Sequence, residues 1–254
     1  RGFSDPHPQT LPSGRSVFYQ PSATPPGYLL PWHYDTSKYD PCLVDVDVDN
    51  SWQPMHAALD NGRMDKWLSA EHDLPFTMDY YTRADVPWHM ALADAFTVCD
   101  AYYAPVLGPT NPNRLYSMTG TIDPGGHNGG PVTDNSQKVP YTWTTYPERL
   151  QKRGISWRVY QQADNFDDNA LAWFKQYQQA KPGSPLYENG MLRRPADAFA
   201  DDVAAGRLPK VSWIIAPTVQ SEHPGYAPGP GAQFCDGIIQ ALFAHPKVWA
   251  KTVL

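Results

Sequence analysis

From Thr82 onward, stretches with apolar side chains at helical spacing alternate with short continuous apolar runs. The first pattern reads as amphipathic helices and the second as buried strands. "DVPWHMALADAF" predicts a helix with Asp85 as its N-cap and Pro87 in the first turn. "TVCDAYYAPV" predicts a strand or strand-like approach to the turn that follows. "TTYPERLQKRG" predicts a helix stopped by Gly154, and "ISWRVYQQ" a short strand. "DDNALAWFKQYQQA" predicts another helix, closed by Pro182, and "ADAFADDVAAGRLP" a helix with a glycine stop. "KVSWIIAP" predicts a second buried strand, "GAQFCDGIIQALFAHP" a helix, and "KVWAKTVL" the start of a third strand. This alternation predicts βαβ units: an α/β fold with a mainly parallel sheet sandwiched by helices. In such sheets the reactive groups belong just past the strand C-termini.

Residues 1–45 break the rhythm. A proline recurs every few positions ("PSATPPGYLLPWHYDTSKYDPC") without sustained periodicity, so this part reads as an extended segment belonging to the same domain. With no internal repeat and no linker, residues 1–254 are expected to form a single domain. Its last apolar run stops at Leu254 and its first residues lie in a loop, so the sheet is expected to be incomplete at both ends.

Composition narrows the classes. A net charge of −6 and the lack of a basic run argue against a nucleic-acid partner. No apolar run reaches the roughly 18 residues of a membrane span, and no signal-peptide pattern occurs within these residues. Aromatics at 13% together with 27 prolines lean towards a secreted or cell-envelope protein. Cys42, Cys99 and Cys235 have no metal-site spacing and read as buried free thiols.

One stretch poses a chemical question. In "YYAPVLGPTNPNRLYSMTG", Gly108-Pro109 delivers Thr110 to the start of a helical run, Asn111 to Thr119, with Pro112 in its first turn. A hydroxyl there is either an ordinary helix cap or a group facing free N–H donors and the positive end of a helix dipole. Such a helix end favours phosphate or a developing oxyanion. Asn113 and Arg114 add an amide and a guanidinium for phosphate oxygens.

Three stretches carry a family likeness: "NSWQPMHAALDNGRMDKW", "ADAFTVCDAYYAPVLGPTNPNRLYSMTGT" and "VSWIIAPTVQSEHPGYAPGPGAQFCDGI". Together they resemble the bacterial phosphoesterases that include phosphatidylcholine-type phospholipases C and related acid phosphatases, the mycobacterial phospholipases C among them. The resemblance spans nearly the whole chain and implies an alkaline phosphatase-like fold. It also implies hydrolysis of phosphocholine lipids at a membrane surface, through a covalent intermediate on Thr110. It makes His223, in "SEHPG", a phosphate contact or acid, and leaves neighbouring Glu222 a structural role. His56 could reach the site or simply pack; Asn61 and Asp65 lie in a matching block whose Asn-Gly reads locally as a tight turn. Trp52, Trp67, Tyr80 and Tyr81 are candidates for a choline cage as well as for the core.

The likeness has departures. Asn50 stands where the family pattern has an active-site histidine, so it can hydrogen-bond phosphate without moving a proton. The resemblance implies a divalent metal of unknown identity, with Thr110 as a possible ligand. It also implies a Glu-Asn pair and a downstream acidic run, neither of which occurs within these residues. The expected function is therefore a phospholipase C, with an inactive remnant that binds phosphate or choline weakly, or an acid-phosphatase-type phosphomonoesterase, as rivals.

Overall fold

The computed structural model describes residues 6–40, 48–99, 101–137 and 140–254. They group into two compact units. The first comprises residues 1–113 and 133–135, the second residues 114–132 and 136–254.

In the first unit the proline-rich segment is less extended than expected. Strands β1 (Gln20–Pro21) and β2 (Tyr28–Leu29) pair antiparallel. Strand β3 (Trp32–His33) pairs in parallel with β4 (Asp79–Tyr80), in the register Trp32 with Asp79 and His33 with Tyr80. Between them lie helices α1 (Trp52–Leu59) and α2 (Trp67–Ala70). Helix α3 (Pro87–Ala95) starts at the expected proline, but Asp85 does not cap it; the N-cap position is Val86. The carboxylate of Asp85 instead accepts from the N–H and hydroxyl of Thr82 (2.7 and 2.5 Å) and of Thr36 (3.0 and 2.8 Å). His33 Nε2 also donates to it, at 2.7 Å. The carboxylate is taken up by Thr82, three positions before it, and by partners some 50 positions away. The strand expected in "TVCDAYYAPV" does not form among its described residues, and Tyr102 and Tyr103 lie exposed in it. Helix α4 (Thr110–Thr119) begins in this unit and ends in the second.

The second unit is a mixed α/β assembly. Helix α5 (Tyr146–Lys152) opens with a capping box. Thr145 accepts from the N–H of Glu148, and the Glu148 carboxylate accepts from the N–H of Thr145; Gly154 follows the helix at φ 67°. Strand β5 (Trp157–Tyr160) comes next. The helix expected over "DDNALAWFKQYQQA" is broken: a 3₁₀ turn at Ala170–Trp173, extended Phe174, then α6 (Lys175–Gln178). Phe174 is fully buried and bridges in parallel to Tyr141, so tertiary packing overrides helical spacing. Helix α7 (Ala198–Ala204) leads to β6 (Val211–Ile214), parallel to β5 through all four residues, from Trp157 with Val211 to Tyr160 with Ile214. Helix α8 (Pro228–Phe243) covers it.

The third strand expected at "KVWAKTVL" is instead a helical turn, α9 (Pro246–Trp249). Pro246 at its start favours a helical first turn. Val248 and Trp249 pack against the core of Tyr160, Phe199, Val203 and Leu242. Among the described residues, parallel pairing is thus confined to two-stranded sheets and the single Tyr141–Phe174 bridge. Cys99 and Cys235 are unpaired but exposed rather than buried, and Cys42 lies outside the described residues.

Candidate active site

In the first unit the Gly-Pro turn is braced from two sides. Asn113 points back along the loop: its side-chain oxygen accepts from the N–H of Val106 at 3.1 Å. Its amide donates to the carbonyls of Val106, Gly108 and Pro109 at 3.1, 3.1 and 2.9 Å. The amide expected to meet phosphate is therefore spent on the turn itself. On the other side, a Cβ at Gly108 would come within 3.2 Å of the Trp52 ring. A side chain there would press on the indole, which would have to give by a few tenths of an ångström.

The product of this bracing is Thr110, exposed, as the first residue of α4. Its hydroxyl has no hydrogen-bond partner among the described residues, so it is not engaged as a cap. The helix end is less rich in free donors than its position suggests. Asn111 N–H donates to Asn135 Oδ1 at 2.9 Å, Asn111 Nδ2 to the Asn135 carbonyl at 2.8 Å, and Pro112 has no N–H.

Trp52 links this turn to other candidates. His56 stacks on it with ring centroids 4.4 Å apart, and its Nδ1 donates to the Trp52 carbonyl at 2.8 Å. Asn50 lies exposed two positions before Trp52. Asn61 occupies the left-handed turn read from Asn-Gly, at φ 56°. Next to it Asp60 is buried and pairs with Arg63 and Lys66, an arrangement that accounts for this block structurally. Of the aromatics, Tyr80 stacks on His33 and Tyr81 meets Tyr34 edge-on.

In the second unit a polar cluster gathers past the C-terminal ends of β5 and β6, where open α/β sheets carry their ligands. Past β5, Asp164 accepts from the N–H and hydroxyl of Thr218, at 2.9 and 2.6 Å, which fixes the 3₁₀ turn that follows β6. Ser221 continues from that turn, donating to the Thr218 carbonyl and accepting from the N–H of His223. The His223 ring packs on Phe166, centroids 5.0 Å apart. His223 Nδ1 donates to the Pro224 carbonyl at 3.1 Å, which leaves Nε2 as the lone-pair nitrogen of the neutral ring. Glu222 sits at φ 58° with its side chain over Gly231, at the start of α8.

Arg114 completes the cluster through Asp168, Nη2 to Oδ2 at 2.6 Å. Burial pushes the Asp168 carboxyl above the usual carboxylate range, against the pull of Arg114 and His223. Arg114, expected to contact phosphate directly, thus already has a carboxylate partner. Asp168 was hidden by the helix reading of "DDNALAWFKQYQQA", while Asp164 and Phe166 fall between that stretch and the strand before it and drew no reading. Their signal is the run of carboxylates just beyond "ISWRVYQQ".

Among the described residues no group of three or more His, Cys, Asp or Glu side chains is placed to hold a metal ion. The divalent metal implied by the resemblance therefore finds no cage among them. No helix among them is long and apolar enough to cross a membrane.

The chain is thus a mixed α/β protein with parallel strands, an exposed hydroxyl at a helix start and a histidine past a strand end. It belongs to the Phosphoesterase family, which it matches over residues 1–254. Over its whole length it is 47% identical to the non-hemolytic phospholipase C of Pseudomonas aeruginosa, covering 37% of that protein. It is 40% identical to the non-hemolytic phospholipase C of Burkholderia pseudomallei, covering 39%. To phospholipase C B of Mycobacterium tuberculosis it is 38% identical, covering 52%. The chain thus spans from about two fifths to about half the length of these relatives.

Proposed function

We propose that the chain carries the nucleophile of a phospholipase C that cleaves the phosphodiester of phosphatidylcholine- or sphingomyelin-type lipids. The observation that carries this reading is the exposed hydroxyl of Thr110, held at the start of α4 by a turn that Asn113 and Trp52 brace. In the reaction, Thr110 Oγ1 bonds to phosphorus while the bond to the diacylglycerol or ceramide oxygen breaks. The proton released from the Thr110 hydroxyl passes to the leaving alkoxide, and water then attacks phosphorus, giving one proton back to Thr110 Oγ1 as the phospho-threonine bond breaks and phosphocholine leaves. By the family likeness His223, whose Nε2 carries the lone pair, is assigned to proton transfer or oxyanion contact. The relatives' names and the aromatic, proline-rich composition support a phospholipid substrate and a secreted or cell-envelope location.

The test uses the protein with a slow phosphocholine ester. Mass spectrometry is expected to find phosphate on Thr110. Thr110→Ala should lower kcat by roughly a thousandfold or more, and Thr110→Ser should keep substantial activity. Phosphate on Ser117, or near-full activity in Thr110→Ala, would refute the assignment. Faster turnover of a simple monoester than of the diester would favour an acid-phosphatase-type activity.

A further inference from the structure

We propose that three arginines of the second unit, Arg158, Arg194 and Arg207, gathered at the single carboxylate of Asp202, form a site for a phosphate-type oxyanion. The cluster shares no residue with the Thr110 turn or with the group around His223.

The arginines are positioned by strand, helix and loop together. Arg158 and Tyr160 lie two residues apart on β5 and so share one face of the strand. Both reach Asp202 Oδ2 on α7, Arg158 through Nη1 and Tyr160 through its hydroxyl at 2.8 Å. Arg207 follows α7 and folds back onto it. Its N–H donates to the Asp202 carbonyl at 2.8 Å, and its Nη2 lies 3.4 Å from Asp202 Oδ1. Arg194 is pinned to the end of β5, where its N–H donates to the carbonyl of Gln161 at 2.8 Å; its Nη2 donates to the Glu188 carbonyl.

The charges do not balance. Three guanidinium groups face one carboxylate, whose side chain is only 10% exposed, and this leaves an excess of two positive charges. Glu188 is the nearest further acid, but its Oε1 already accepts from the N–H of Gly183 at 2.8 Å. Arg158 and Arg194 act on each other. Burial holds the Arg194 guanidinium below its ordinary range, and the charge of Arg158 adds to this, against Tyr160, Asp202 and Glu188. Donors are also left over. The Nε groups of Arg158 and Arg194 are buried without a partner. Among the described residues, Arg158 Nη2, Arg194 Nη1 and Arg207 Nη1 donate to nothing. Half-buried guanidinium groups short of counter-charge gain most from an anion brought against them. Planar forks with unspent N–H groups match the paired oxygens of a tetrahedral oxyanion, and a phosphate dianion carries the charge that is missing. With 27% of the Arg158 side chain and 66% of the Arg207 side chain exposed, the cluster is open to such an ion from solvent.

The probe is inorganic phosphate, titrated into the protein by calorimetry at mildly alkaline pH, with sodium chloride at matched ionic strength beside it. Saturable phosphate binding is expected, with a rise in Tm that chloride does not give. Arg207→Gln, a change on an exposed side chain, should weaken phosphate about tenfold, and Arg207→Lys, which keeps the charge but not the fork, should weaken it less. Arg194→Gln should weaken it about tenfold as well; if that variant fails to fold, the two Arg207 variants decide. Thr110→Ala should bind phosphate as the parent does. An equal response to chloride, unchanged affinity in Arg207→Gln, or binding lost in Thr110→Ala but kept in Arg207→Gln would overturn the site. Vesicles with and without phosphatidate separate the two sources of the anion. Retention on phosphatidate vesicles that Arg207→Gln abolishes would mark the occupant as a lipid phosphate, and phosphate binding without such retention as a free ion. Binding is read without turnover, so this result stands or falls separately from the role given to Thr110.

Discussion

Arg114 and Asp168 meet at 2.6 Å beyond the end of β5, with 36% and 21% of their side chains exposed. Burial raises the Asp168 carboxyl even against the pull of Arg114, so the ionised pair as a whole contributes little to stability. Breaking it is a different matter. Arg114 Nε is already buried without a partner, and losing the carboxylate would leave a partly buried guanidinium without its counter-charge. Asp168→Asn is expected to cost on the order of 1–2 kcal/mol, lowering Tm by roughly 3–6 °C. The double change Arg114→Met with Asp168→Leu should recover most of that loss. Thermal unfolding of the three variants checks this; a double variant no more stable than the single one would contradict it.

Asp85 behaves in the opposite sense. Its carboxyl is held well below the usual carboxylate range, first by the Thr82 hydroxyl, then by the N–H groups of Thr36 and Thr82 and by His33, with burial opposing them. A depressed folded-state pKa contributes stability that is present above the unfolded value, about 3.9, and lost as pH falls through the folded one. Asp85→Asn should therefore lower Tm at neutral pH, and the gap to the parent should narrow steadily as the pH drops from about 5 to about 2. A gap independent of pH in that window would show that the ionised form is not what the network holds.

The sequence was most readable where signals are local. The capping box at Thr145, the Gly154 stop and the apolar runs of β5 and β6 all lie within a few residues of the structure they specify. Asp85 looked like a cap because Thr36 and His33 are distant in sequence. "KVWAKTVL" looked like a strand because a short apolar run packs equally well as either element; Pro246 was the overlooked arbiter. At the candidate site, Thr110 was visible from its Gly-Pro turn, but the direction of the Asn113 side chain was not. An amide that faces its own loop and one that faces a ligand have the same local sequence.

Gly130 offers a sharp test of the second unit's loop packing. A Cβ there would lie 2.5 and 2.6 Å from the carbonyl oxygens of Ile122 and Asp123, both backbone atoms that cannot swing aside. The same loop is organised by Asp123, itself at φ 55°, whose carboxylate accepts from the N–H groups of Asn128 at 2.7 Å and Gly130 at 3.0 Å. Gly130→Ala is expected to destabilise by about 2–4 kcal/mol, since overpacking and loss of these bonds act together. Denaturant unfolding checks it; a midpoint within error of the parent would mean that the loop yields without cost.

Asn113 should act on the reaction without touching the substrate. Its side chain holds the backbone of Val106, Gly108 and Pro109, the residues that deliver Thr110, and Gly108 is pressed against Trp52 from the other side. Asn113→Ala removes the tether and leaves half-buried carbonyls and an N–H to find other partners, a cost of roughly 1–3 kcal/mol. Asn113→Asp keeps the acceptor for Val106 N–H but brings a negative charge to carbonyls that now lack a donor, so it should be no better. Both variants are expected to speed hydrogen exchange at the Val106 amide far more than in β5 or β6, because the opening is local. With Thr110 as the proposed nucleophile, both should lower kcat about tenfold to a hundredfold with little change in KM, since its displacement costs alignment rather than binding. A rise in KM at constant kcat, with Val106 protection intact, would instead mean that Asn113 serves the substrate directly and that the turn stands without it.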